Sequence, residues 1–183
     1  MTQDADPVDS VLVFDAMCLS HFARAERLDV LRDLLVDKEC WTTRVVLEEV
    51  RRGVTAHPAL NDVLAADWFK IAQLDTLDEI GHFARWAGRV GSGERDLGEA
   101  SVFAAAELRS ATAVTDDQEA VRVARSYGLD THGTIWLLAG TCRNGKLSEP
   151  AAGNLIDALR ATGLRLPCTG AEFPGYARQY GLL

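Results

Sequence analysis

Val11-Leu12-Val13-Phe14-Asp15 is the stretch that decides the fold, because an apolar run ends there at a carboxylate. The run is short, apolar and β-branched, which predicts a buried strand of a parallel sheet. Ala113-Val114-Thr115-Asp116-Asp117 has the same form later in the chain. We therefore expect two buried strands, each followed directly by acidic residues.

The rest of the chain alternates between strand-like and helix-like patterns. Strands are predicted at 11–14, 41–43, 68–74, 111–115 and 131–132. Helices are predicted at 28–35, 44–52, 58–66, 77–86, 97–108, 117–127, 135–142 and 154–161. Gly91-Ser92-Gly93 is interpreted as a turn and not as a dinucleotide-binding loop, because its spacing to Gly98 is wrong. The alternation predicts an α/β sandwich with a mainly parallel central sheet.

Acidic residues occur where such a sheet carries its functional sites. Sites in these folds lie beyond the carboxyl ends of the strands, and Asp15 and the Asp116-Asp117 pair lie there by sequence. Glu49 and Glu99 lie within helical segments. Acids that meet near a core repel one another unless protons or a cation compensate them. Because oxygen ligands favour Mg²⁺ or Mn²⁺, the pattern predicts a metal-dependent phosphodiesterase site.

Size, composition and charge limit the class of protein. The chain has 183 residues, 48% of them hydrophobic and 25% charged, which predicts one globular domain over 11–183 after a flexible N-terminus at 1–10. No apolar run reaches transmembrane length and no secretory signal opens the sequence, so we expect a cytoplasmic protein with no membrane partner. The net charge of −8 argues against a surface that attracts nucleic acid everywhere. A nuclease is still compatible, because a bound metal reverses the local sign of charge.

Cysteine and histidine patterns predict no second metal centre. The four cysteines are widely spaced without a Cys-x-x-Cys pair, which is typical of buried thiols. Cys18-x-x-His21 has the spacing of half a zinc site, but no second half is present.

Several short segments resemble the PIN-domain ribonuclease superfamily, over nearly the whole chain from about Val11 to about Leu166. Asp15 looks like the first aspartate of that superfamily, and Glu49-Val50-x-x-Gly53 resembles its second motif. Gly98-Glu99-Ala100-Ser101 resembles the Gly-Glu-Ala-Glu signature of one prokaryotic PIN-like subgroup. The chain departs from that signature at Ser101, where the subgroup often has a second Glu.

Two later segments extend the resemblance. Thr115-Asp116-Asp117 resembles the fourth motif, in which a Thr or Ser precedes acids. Gly133-Thr134-Ile135-Trp136-Leu137-Leu138 is similar to a Gly-Thr-x-x-x-Leu helix start in the same subgroup. The resemblance implies a three-layer α/β/α sandwich, Mg²⁺ or Mn²⁺ as cofactor, and hydrolysis of RNA phosphodiester bonds. Because many small prokaryotic members are toxins and relatives are often homodimers, it also implies an antitoxin partner and a homodimer.

The predicted catalytic residues are all acids that would hold one or two divalent ions: Asp15, Glu49, Glu99, Asp116 and Asp117. Asp15 could instead only cap the helix that follows it. We expect one residue of the Asp116-Asp117 pair to cap a helix and the other to face the metal. Four further residues are predicted as weaker substrate contacts: Thr115, Arg51, Arg52 and Arg95.

Two rival functions belong to other classes. A phosphatase of the haloacid dehalogenase type would use Asp15 as nucleophile and needs a second Asp two residues later, where this chain has Met17. A non-catalytic PIN-like module would bind RNA or protein without cutting, and Ser101 and the acidic net charge leave room for it. A serine hydrolase is disfavoured because the chain has no Gly-x-Ser-x-Gly segment.

Overall fold

The computed structural model of the chain describes residues 11–91 and 93–183, with only the backbone of Glu94 and Arg95. The flexible N-terminus predicted at 1–10 lies outside the described residues, and so does Ser92 of the predicted turn.

A single sheet of five parallel strands lies at the centre of the described part of the chain. The strands are β1 Leu12–Phe14, β2 Cys40–Thr43, β3 Lys70–Ala72, β4 Thr112–Val114 and β5 Thr131–His132. Their spatial order is β3-β2-β1-β4-β5, and every pairing is parallel. The five predicted strands and the parallel sheet are therefore confirmed.

Helices connect the strands and complete a three-layer α/β/α sandwich, as the sequence predicted. The described helices are α1 Ala16–Arg24, α2 Leu28–Leu34, α3 Arg44–Gly53, α4 Asn61–Ala65, α5 Leu77–Val90, α6 Glu94–Arg109, α7 Gln118–Ser126, α8 Thr134–Arg143, α9 Glu149–Ala161 and α10 Phe173–Gln179. A 3₁₀ turn at Pro58–Leu60 precedes α4. Helices α1 and α10 were not among the predicted elements. None of the helices in the described ranges combines the length and the apolar character that a membrane span requires.

The order of the strands creates a switch point between β1 and β4. The chain builds β1, β2 and β3 outward on one side and then returns to place β4 and β5 on the other. At the carboxyl ends, Phe14 pairs with Val114, and the amide of Asp15 donates to the carbonyl of Val114 at 3.0 Å. In open α/β sheets the crevice at such a switch point is where ligands bind. Asp15 follows one of its two strands and Asp116 lies just beyond the other.

Helix α6 packs against the middle of the sheet through small side chains. It contacts β1, β2 and β4, and Ala104, Ala105 and Ala106 are fully buried. Alanine lets a helix lie close to a sheet, because no long side chain separates the two backbones. Glu99 lies on this well-anchored helix, so the core fixes the position of its backbone.

Candidate active site

Asp15 is held by the fold through one oxygen of its carboxylate. It is the N-cap of α1 and is 4% exposed. Its Oδ2 accepts hydrogen bonds from the Met17 amide and the Thr115 hydroxyl, both at 3.3 Å. Its Oδ1 faces α6, since a Cβ built on Gly98 would lie 3.9 Å from it. Capping and a functional role are therefore compatible, because each uses a different oxygen.

The charge of Asp15 is poorly compensated by its surroundings. Burial raises the pKa of Asp15 above its ordinary value of 3.8, and the nearby charge of Asp116 raises it further. Hydrogen bonds from Ala16, Met17 and Thr115 oppose these effects without cancelling them. A cation beside this carboxylate would relieve the cost of its burial.

Gly133 and Thr134, at the start of α8, hold the carboxylate of Asp116 in place. Its Oδ1 accepts from the Thr134 amide at 2.8 Å, and its Oδ2 accepts from the Thr134 hydroxyl at 2.5 Å. Gly133, the N-cap of α8, offers no side-chain cap, so Asp116 supplies the acceptor from outside the helix. A Cβ on Gly133 would lie 2.5 Å from Asp116 Oδ1, closer than real contacts allow. The Gly-Thr pair thus has a physical role in positioning Asp116.

Burial also raises the pKa of Asp116, although the two hydrogen bonds from Thr134 lower it. Asp15 and Asp116, which follow β1 and β4, are therefore both acids whose charged forms are disfavoured by burial.

Asp117 caps α7 through one oxygen. Its Oδ1 accepts from the amides of Glu119 at 2.9 Å and Ala120 at 3.0 Å. The prediction that one residue of the Asp116-Asp117 pair caps a helix is confirmed, and the cap is Asp117. Both capping bonds end on Oδ1, so capping leaves Oδ2 for another role.

Glu49, on α3, reaches across to α6 at the position of a glycine. A Cβ built on Gly98 would lie 2.5 Å from Glu49 Oε2, while Asp15 Oδ1 lies 3.9 Å from the same point. Carboxylate oxygens of Glu49 and Asp15 therefore approach the same side of Gly98. Since any larger residue would displace the Glu49 carboxylate, Gly98 provides the space that brings the two acids together.

Asp15, Glu49 and Glu99 line one cavity of about 250 Å³, here called the acid cavity. Glu99 also borders a neighbouring space of about 170 Å³ together with Asp96 and Asp117. Asp116 lies outside both and lines a larger groove on its own side. The acids thus line three spaces, two of which share Glu99.

A chain of buried hydroxyl groups links α3 to α6. The Val46 amide donates to Thr43 Oγ1 at 3.1 Å, Thr43 and Ser101 hydroxyls are 2.6 Å apart, and Ser101 donates to the Gly98 carbonyl at 2.7 Å. Ser101 is fully buried. Its departure from Glu in the family pattern therefore places a structural hydroxyl there, which fixes the helices that carry Glu49 and Glu99.

The residues predicted as weaker substrate contacts lie in different settings. Thr115 is fully buried; its hydroxyl donates to Asp15 and accepts from the Asp117 amide at 3.3 Å, so it organises the turn. Arg51 forms an exposed ion pair with Glu48, and neither Arg51 nor Arg52 lines the acid cavity. The side chain of Arg95 lies outside the described residues.

Sequence reasoning missed three residues near the acids. Asp96 shares a cavity with Glu99 and precedes it by three positions on α6, a helical spacing that could have revealed it. Arg24 and His57 line the acid cavity and bring basic groups to it. No local pattern marks these two, because only tertiary packing brings them to the acids.

The donor set suits a hard divalent cation, but its members are not gathered into a cage. All of the acids offer oxygen ligands, and the raised pKa values of Asp15 and Asp116 show buried charge that a cation would stabilise. Within 11–91 and 93–183, no three His, Cys, Asp or Glu side chains stand close enough to hold a metal ion. The residues fit such an ion in chemistry, and the carboxylates of Asp15 and Glu49 both approach Gly98.

A five-stranded parallel sheet with acids at its switch point defines the chain as an α/β protein with a carboxylate site. The PIN-domain family matches residues 11–171, and the chain belongs to that family. PIN domains have a nuclease-type fold, generally bind nucleic acid and usually use divalent metals. No curated protein matches the chain.

Proposed function

We propose that the protein is a metal-dependent ribonuclease that hydrolyses RNA phosphodiester bonds. The proposal is carried by Asp15, a buried carboxylate with a raised pKa at the switch point. It lies in one cavity with Glu49 and Glu99, and its pKa responds to Asp116. Membership of the PIN-domain family supports the same class of chemistry.

Mg²⁺ or Mn²⁺ would be held by Asp15, Glu49 and Glu99, with Asp116 and Asp117 on the neighbouring strand end. Asp15 would use Oδ1 and Asp117 would use Oδ2, because their other oxygens accept capping hydrogen bonds. Asp116 has both oxygens bound to Thr134, but a carboxylate oxygen has a second lone pair for a further partner. When bound, a divalent ion polarises the scissile phosphate and lowers the pKa of a bound water.

The chain itself supplies position and charge. Thr115 orients Asp15, Thr134 orients Asp116, and Ser101 fixes the helix that carries Glu99. Arg24 and His57 bring basic groups to the acid cavity, where they can contact a phosphate. No histidine or serine nucleophile is required.

Cleavage of RNA tests the proposal directly. Purified protein should cut a broad RNA pool with Mn²⁺ or Mg²⁺, and EDTA should stop the reaction. Asp15→Asn should lower the rate by about 100-fold or more, since removing only a residue that hydrogen-bonds to a metal ligand already costs about 10- to 100-fold. The asparagine carbonyl can accept both hydrogen bonds now accepted by Oδ2, so the fold should be preserved while the negative charge is removed.

Asp62→Asn is the matched control, because Asp62 is exposed on α4 and lines neither the acid cavity nor the Asp116 groove. It makes the same change of charge and should leave the rate unchanged. Cleavage that persists in EDTA or in Asp15→Asn would contradict the proposal.

A non-catalytic binding module is the second candidate, favoured by the absence of three gathered ligands among the described residues. It predicts RNA or protein binding without metal-dependent cutting. A toxin role, an antitoxin partner and a homodimer are further predictions of the family resemblance, and a cytoplasmic location stays a prediction from the sequence. Copurification of a small antitoxin with the protein would support the first two.

A further inference from the structure

A groove of about 640 Å³ opens beside Asp116. Helices α7, α8 and α10, strand β5 and the segment before Pro167 form its walls. Three arginines and three aromatic residues line it, and we call it the aromatic–arginine groove: Arg122, Arg125, Arg165, Trp136, Tyr176 and Tyr180.

The charge of this groove is opposite to that of the chain. The chain carries a net charge of −8, yet Asp116 is the only acid among the described residues that line the groove. Arg165 is exposed, and no described residue forms a hydrogen bond or ion pair with its side chain. Arg122 has only an exposed ion pair with Glu119 at 3.2 Å, which contributes little to stability. Both arginines can therefore bind an anion at small cost to the fold.

Arg125 is held in place at the wall. Its Nε and Nη2 donate to the carbonyl of Thr131 at 3.1 and 2.7 Å. A guanidinium fixed in this way presents its charge without losing much side-chain freedom when a ligand binds.

The aromatic residues form two ring pairs in the same groove, one tilted by 38° and one stacked. The rings of Tyr176 and Tyr180 have centroids 4.5 Å apart, and Tyr180 is 60% exposed. The ring of Trp136 stacks on His132 at 4.2 Å with an angle of 9° between the planes. Tyr180 therefore presents a largely exposed aromatic ring in a groove that also carries three arginines.

We propose that the aromatic–arginine groove binds unpaired RNA, with a base stacked on Tyr180 and the backbone held by Arg165 and Arg122. A positive groove with aromatic platforms is the general form of single-strand binding sites. Bases in a duplex are already stacked on one another, so Tyr180 favours a single strand. The inference rests on the proposed ribonuclease function, because Asp116, one of the proposed catalytic acids, lines the groove and would lie beside a bound strand.

An acidic protein segment is the alternative occupant, since arginine and tyrosine also suit protein interfaces. Continuity with Asp116 favours RNA: the groove and the proposed catalytic acids share a residue, so a bound strand would extend to the site of cleavage. The test therefore includes both ligands.

Binding is measured with wild-type protein in EDTA, by anisotropy of a short fluorescein-labelled single-stranded RNA at several salt concentrations. Tyr180→Ala should weaken binding by about 5- to 100-fold without changing the salt dependence, because stacking releases no counterions. Arg165→Gln should reduce the slope of log affinity against log salt by about 0.7, the value for one phosphate contact on a single strand. The two variants thus have different signatures.

Conservative and matched variants complete the design. Tyr180→Phe keeps the ring and should bind like wild type. Arg178→Gln removes an exposed arginine on the same helix, α10, that does not line the groove, and should leave the slope unchanged. Melting temperatures of all variants should agree, which separates lost binding from lost folding.

Wild-type affinity and slope in both Tyr180→Ala and Arg165→Gln would overturn the inference. Tighter binding of a polyglutamate peptide than of RNA, lost in the same variants, would also overturn it and identify a protein-docking site. Groove-dependent RNA binding without any metal-dependent cleavage would support the groove and contradict the proposed function. Cleavage with groove-independent binding would contradict the groove alone.

Discussion

Asp116 and Glu49 each lie against a glycine, but the protein holds them in different ways. Asp116 follows strand β4, and both of its oxygens are bound by Thr134. Glu49 is half-buried on helix α3 and approaches Gly98 at the end of a longer side chain. Asp116 is thus fixed before any ligand binds, whereas Glu49 reaches Gly98 through a side chain with one more rotatable bond. We therefore expect Asp15 and Asp116, at the strand ends, to set the place of the site, and Glu49 and Glu99 to join it from the helices.

The largest expected effect is the response of stability to metal. Millimolar Mn²⁺ should raise the melting temperature. The free energy of unfolding should increase by about 2.7 kcal/mol if the Mn²⁺ concentration reaches about 100 times Kd. Asp15→Asn should remove most of this gain and Glu49→Gln a smaller part, because Asp15 is buried beside Asp116 whereas Glu49 is only half-buried on a helix. Calorimetry with and without Mn²⁺ measures the difference. Equal losses in the two variants would contradict the distinction between strand-end and helix acids.

Thr134→Val tests how Asp116 is held. Valine keeps the branched shape and the backbone bond to Oδ1 but loses the hydroxyl bond to Oδ2. We expect RNA cleavage to fall about tenfold, the lower range for losing an orienting partner of a metal ligand. Thr141→Val is the matched control, since Thr141 is also buried on α8 and donates only to the Leu138 carbonyl. A similar loss of rate in both variants would show that the loss comes from a less stable helix and not from the position of Asp116.

The pH dependence of stability in EDTA tests the burial of Asp15. Because its pKa is raised in the folded protein, the native state binds more protons than the unfolded state above pH 3.8. Stability should therefore decrease as pH rises from 3.8 through the raised pKa and then level off. Asp15→Asn should be more stable than wild type at neutral pH, because it places no charge at this buried position, and this advantage should vanish at pH below 3.8. Urea unfolding at several pH values measures the difference in stability between the variant and wild type. If that difference were the same at all pH values, the ionisation of Asp15 would not be its cause.

Gly98→Ala should have the smallest effect, a loss of activity of a few-fold. The added methyl group meets the flexible end of Glu49, which can move aside, so the fold should tolerate it. Gly88→Ala is the control, because Gly88 lies on α5 with open space around it and alanine favours the helix. Rates should fall only in Gly98→Ala, and the effect should not add to that of Glu49→Gln. If the losses of activity in the two variants were fully additive, Gly98 would act independently of Glu49.

Several parts of the fold and site followed from local patterns. The five strands were predicted because short apolar runs between polar segments have one good placement, inside a parallel sheet. The PIN-domain family was identified from the order of its acidic segments. Helix α1 was missed, since it begins directly at Asp15 and its N-cap was assigned first to the site. Asp96 was missed because a single acid near a helix start is ordinary in sequence.

The sequence by itself determined which residues are acids at strand ends and which are acids on helices. Only the tertiary structure decided that β1 and β4 are neighbours, since strand order depends on long-range packing that no local pattern encodes. That pairing brings Asp15 beside Asp116. The tertiary structure also decided the separate roles of the adjacent aspartates. Asp117 caps α7, whereas Asp116 is held by Gly133 and Thr134, which lie later in the chain. The sequence sets which residues carry carboxylates, whereas the packing of the helices on the sheet sets the distances between those carboxylates.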